Sequence, residues 1–161
     1  MHFNTTEQLL RKIEQYVSTD QIKIQETTAY LGNAVELVTI MDEPRIGFEV
    51  AEDSVIFYFF SDHIHFDDYC TELEYGEPNY LSRAEEFVDN LFTLPIRRRY
   101  IRKGTKVVYD QSWFVHSDGE EESIAGVMLC SPGFKNLFAS KEEFMEIWQY
   151  DKNGFQWKKL S

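Results

Sequence analysis

A chain of 161 residues with 16 Lys and Arg against 28 Asp and Glu carries a formal charge of −12. That length buries enough surface for one independent core without metal or disulfide staples, and a hydrophobic fraction of 43% with 16% aromatics excludes intrinsic disorder. No apolar run approaches the roughly 20 residues that cross a bilayer, which argues against a membrane protein.

The start, Met1 to Gln8, lacks the basic and apolar regions of a secretory signal, so a cytoplasmic location is expected. Cys70 and Cys130 match no metal or redox spacing and are expected as free thiols, buried or half-buried. In Thr5-Thr6-Glu7-Gln8, Thr5 and Gln8 have the spacing of a capping box. The helix it opens carries Leu9, Leu10, Ile13, Tyr16 and Val17 on one stripe. From Gln21 the period becomes two, and a hairpin is predicted through Gly32-Asn33 into a strand from Val35 to Met41.

Ile46 to Val50, Val55 to Phe60 and His63 to Phe66 extend this into a meander of about five strands. Val55-Ile56-Phe57-Tyr58-Phe59-Phe60 has no polar side, which predicts a strand covered on both faces, by the chain itself in a monomer or by a second subunit in a homodimer. Thr71 to Tyr80 reads as a surface loop. Ser82 to Glu85 is a second capping box, opening a helix that Pro95 stops. Strands then follow from Ile96 to Arg102, Lys106 to Val115 and Ser123 to Cys130. The stretch Ser140 to Tyr150 is compatible with helix or strand, and a last strand covers Phe155 to Lys158. The fold class expected is a single α+β domain over residues 1–161, predominantly antiparallel sheet with two or three helices packed on it.

Chemistry-bearing motifs are sparse. His63-X-His65 on a strand places two imidazoles on one side, and Asp67 shares their parity, so a metal-dependent hydrolase using these three groups is one alternative reading. No nucleophile elbow or phosphate-cradling glycine loop is present, and neither cysteine has a basic neighbour that would activate it. The reading preferred is a protein that is not an enzyme and has no cofactor and no metal site.

Charge is segregated. Arg97, Arg98, Arg99, Arg102, Lys103 and Lys106 fall within ten positions. They suit a nucleic-acid-binding module as a second alternative, but internal pairing with the chain's many acids is the preferred account, and nucleic acid is disfavoured as a partner. The acids gather as Asp67, Asp68, Glu72 and Glu74 among Tyr69 and Tyr75, and again as Glu120, Glu121 and Glu122. Negative charge interleaved with large rigid side chains suits a protein interface, so these nine residues are predicted to bind a basic protein partner.

The runs Leu91-Phe92-Thr93-Leu94-Pro95-Ile96-Arg97-Arg98-Arg99, Lys103-Gly104-Thr105-Lys106 and Tyr150-Asp151-Lys152-Asn153-Gly154-Phe155-Gln156-Trp157 resemble the small acidic immunity proteins of bacterial polymorphic and contact-dependent toxin systems. The resemblance lies in size, acidity, aromatic content and strand-rich order. It implies neutralisation of a toxin domain, often a nuclease with a basic groove, and it carries no catalytic residues with it.

Overall fold

A computed structural model describes residues 3–28, 33–68, 79–124 and 128–161. Helix α1 (Asn4–Ile13) leads into strands β1 (Lys23–Thr28), β2 (Ala34–Met41), β3 (Ile46–Val50), β4 (Ser54–Phe59) and β5 (Asp62–Asp67), which pair in chain order as one antiparallel sheet. Helix α2 (Tyr80–Thr93) follows. The second sheet contains β6 (Ile96–Lys103), β7 (Lys106–Val115), β8 (Glu121–Ser123), β10 (Lys141–Asp151) and β11 (Gln156–Lys159), ordered β11-β10-β6-β7-β8, with the short β9 (Met128–Leu129) also pairing with β7. The expected α+β class, rich in antiparallel sheet, is the one found, and the meander expected of about five strands has five, paired in chain order.

Alternation along each strand decides which side meets the core. Val38, Phe48, Phe57 and Ile64 form one cross-strand row on the inner side of the first sheet, with Val50, Val55 and Phe66 in the next. Phe87 of α2 packs on Phe57, Phe59 and Phe66 of this sheet and on Phe114 of the second. One residue thus joins both sheets through the helix. At the far end of α2, Phe92 meets Tyr16, Tyr150 and Trp157. Phe48, Phe57, Phe59 and Phe114 are almost wholly buried, and each contributes about 1.5–3 kcal/mol by removal from water.

Several expectations are corrected. β4 lies inside its sheet, and Val55, Phe57 and Phe59 face the core, but Ile56 and Tyr58 on its other side are only half-buried. Among the described residues of this one chain, no layer covers them. Local contacts shelter them instead: the Arg45 guanidinium stacks on Tyr58 at 4.1 Å, and His65 pairs across from Ile56. Neither helix starts with its predicted cap. The residue preceding α1 is Phe3, whose side chain makes no cap; its backbone N–H instead donates to Glu36 Oε2 at 3.1 Å. α2 is capped by Asn79, whose Oδ1 accepts from Ser82 N–H at 3.1 Å, so the helix begins before the predicted box. The ambiguous Ser140 to Tyr150 stretch is strand. Cys130 is an exposed thiol, against the expectation of burial. The predicted Gly32 turn, Cys70 and the loop at 71–78 lie outside the described residues.

Candidate protein-binding surface

Strands β5 and β8 are opposite edges of different sheets, yet they face each other across α2. Ile64 and Phe66 of β5, Phe87 of α2, Phe114 of β7 and Ile124 beyond β8 line a narrow cleft whose polar wall includes Arg83, Glu86 and Glu122. On β5 the inner parity turns Ile64 and Phe66 toward the helix, whereas β8 supplies Glu122 and Ser123 and the apolar wall on that side comes from Phe114 and Ile124. Asp67 ends one rim and is partly buried; Asp68 beside it is exposed. Glu120, Glu121 and Glu122 begin the other rim, all exposed. Of the acids predicted to bind, Glu122 lines this cleft, while Asp67 shares the outward parity of His63 and His65, and Asp68 and Glu120 lie beside the strand ends that flank it. Tyr69, Glu72, Glu74 and Tyr75 lie outside the described residues.

Two of these acids have work within the fold. Glu121 receives both the Nε and Nη2 of Arg97, and Glu122 Oε2 lies 3.0 Å from His116 Nε2. No ion pair is seen for Asp68 or Glu120 among the described residues.

The arginine cluster is largely satisfied internally. Arg99 pairs with Glu143 at 2.6 Å and Arg102 with Glu142 at 2.9 Å, each from its cross-strand neighbourhood on β10. Arg97 also lies over the Trp113 ring at 4.2 Å, and Arg99 over Tyr109 at 5.2 Å. Arg98 differs because its parity, shared with Ile96 and Tyr100, points inward. Its guanidinium meets Asp110 at 2.9 Å through Nε and at 2.5 Å through Nη2, with the Asp110 side chain only 2% exposed.

This buried centre escaped the sequence analysis, and it extends further. Ser61 donates to Asp110 and accepts from Arg98 Nη2 at 3.0 Å, tying the β4–β5 turn to the second sheet. Phe60, in that turn at φ 52°, holds its ring 4.8 Å from the Arg98 guanidinium. Glu146, its side chain 7% exposed, accepts from Tyr100 at 3.0 Å, Trp148 at 2.9 Å and Lys159 at 2.8 Å. Burial works against ionisation of Glu146, but those hydrogen bonds together outweigh it and hold its pKa below the ordinary 4.5. One signal for the centre was available, namely an arginine on the apolar parity of a strand, which requires a buried carboxylate partner.

His63 and His65 do share the outer side of β5, their rings 5.0 Å apart, with Asp67 on the same side. Among the described residues, however, no three His, Cys, Asp or Glu side chains gather closely enough to hold a metal ion. The hydrolase alternative therefore gains no ligand set there. No described helix is long and apolar enough to cross a membrane. Comparison with known protein families, curated proteins and solved structures finds no match for this chain.

Proposed function

We propose that the chain is a protein-binding inhibitor of the immunity-protein kind, acting in the cytosol on a basic partner such as a toxin domain. The observation that carries this reading is the cleft between β5 and β8, an apolar floor with Glu86 and Glu122 in its wall and the exposed Asp68 and Glu120 close to the ends of the flanking strands. Such a surface suits a partner that inserts an apolar or long basic side chain and surrounds it with positive charge. The net charge of −12 would steer that partner in, speeding association more than it slows dissociation. Tyr69, Glu72, Glu74 and Tyr75 enter this reading from the sequence alone.

Co-expression with the product of the adjacent reading frame tests it. Relief of that product's toxicity and a stable complex on size exclusion are expected. Asp68→Lys/Glu120→Lys should then slow association by about tenfold at low salt, with the difference shrinking as salt rises. Absence of both protection and complex would overturn the proposal.

A further inference from the structure

At the opposite end of β7 from the cleft rim, the chain places positive charge where its own acids do not neutralise it. Lys103 lies directly across from Lys106 in the β6–β7 ladder and from Lys141 in the β6–β10 ladder. Like charges facing each other across strands destabilise a sheet. The chain has 28 acids to offer, yet no ion pair is seen for these three lysines or for Lys135 among the described residues. The nearby carboxylates Glu142 and Glu143 are taken by Arg102 and Arg99. A compensating negative charge from outside the chain would offset this cost.

An apolar knob stands over the same turn. Phe134 is 89% exposed, Phe138 93% and Leu137 46%. The segment is anchored on its inner side. Asn136 sits so close above Gly104 that a Cβ there would strike its side-chain amide, Asn136 Nδ2 donates to Pro132 O at 3.2 Å, and Lys103 Nζ donates to Leu137 O. Asn136 thus faces the β6–β7 turn while its apolar neighbours project outward.

We propose that this end of the molecule docks on the surface of an anionic lipid bilayer, with Phe134, Leu137 and Phe138 entering the headgroup boundary and the four lysines pairing with lipid phosphates. A bilayer receives a convex apolar knob without any preformed pocket, and each nearby lysine adds attraction to an anionic leaflet. Nucleic acid uses the charge but has no place for Leu137, and the arginines that would grip it are already paired. The acidic remainder does not prevent docking, because at physiological salt charges more than about 8 Å away are largely screened. Docking of this kind is independent of the protein-binding cleft and requires no spanning segment.

Flotation of the full chain with vesicles tests it. Binding is expected to phosphatidylcholine vesicles containing about 30% phosphatidylglycerol and not to phosphatidylcholine alone, and it should weaken with salt. Phe134→Ser/Phe138→Ser and Lys106→Glu/Lys141→Glu should each reduce it by at least about tenfold, with thermal unfolding unchanged in the serine variant and no lower in the glutamate variant, which relieves the repulsion facing Lys103. Failure to bind anionic vesicles overturns the proposal, as does binding that both double variants leave intact. A gel shift with a single-stranded oligonucleotide, lost in the lysine variant while vesicles remain unbound, would overturn it in favour of nucleic acid.

Discussion

Arg98 and Asp110 form a charge pair at a place that strand alternation reserves for apolar side chains. Their side chains are 13% and 2% exposed, so neither charge can recover its hydration without the fold opening. Ser61 and the Phe60 ring close the remaining sides. Removing Asp110 leaves Arg98 with only the longer carboxylate contact to Glu146 at 3.9 Å. Asp110→Asn should therefore cost about 3–5 kcal/mol in urea unfolding, while Arg98→Met/Asp110→Leu should recover much of that loss by replacing the pair with apolar volume. A cost of Asp110→Asn below about 1 kcal/mol, the range of a solvated pair, would show the centre to be open to water. Arg99 and Arg102, paired at the surface, belong to that weaker class.

Among the elements, α2 has the greatest reach, since Ala84, Phe87, Val88, Leu91 and Phe92 are all buried on it. Its apolar stripe is plain in the sequence; its start is not. The Ser82 to Glu85 spacing suits a cap at Ser82, but Ser82 is already inside the helix and donates its own N–H to the Asn79 side chain. Asn79→Ala should destabilise by about 1 kcal/mol and Ser82→Ala by much less, measured by thermal unfolding; the reverse order would place the cap at Ser82. β10 shows a similar limit. Glu146 and Tyr150 fall on the buried side whereas Met145 is half-exposed, a period of two, but the capping-box pattern at Ser140 suits a helix equally well. Eight cross-strand positions shared with β6, from Lys103↔Lys141 to Ile96↔Trp148, settle the matter, and that ladder exists only after residues far apart in the chain have met.

At the scale of the molecule, two sheets hold α2 between them, and Tyr16 and Tyr150 bind the end of α1 to the second sheet. Tyr16 donates to Asp89 Oδ1 at 2.6 Å, and Tyr150 donates to the Tyr16 carbonyl at 2.7 Å. Burial pushes both phenols up to about 12, with Asp89 adding to the shift at Tyr16 and Asp151 at Tyr150. The raised values favour the protonated form in the fold. Between pH of about 10 and about 12 the unfolded chain therefore binds fewer protons than the folded one, and stability falls as pH rises through that window. The urea midpoint should drop across it, and Tyr16→Phe/Tyr150→Phe should flatten the drop. An unchanged slope in the double variant would mean that neither phenol is held in this way.

The sequence by itself determined the features that depend on near neighbours along the chain: strand alternation, the stripe of α2, turn residues, and therefore the α+β class and a meander of about five strands in the first half. It also anticipated the internal pairing of the arginines, because cations in an acid-rich chain find partners. Tertiary structure alone decided what those partners were and what lay beside what. The parity of Arg98 could be read in advance, but not that Asp110 and Ser61 would meet it. The acidic groups near Asp67 and Glu120 could be marked as binding residues, but only the packing of two sheets on α2 makes β5 and β8 rims of one cleft. The projecting Phe134 and Phe138 reverse the rule that phenylalanine goes inward, and no local pattern distinguishes them from the four phenylalanines that are almost wholly buried. Burial is a property of the assembled surface, so residue type sets only its preference, while the rest of the chain decides whether a covering is there.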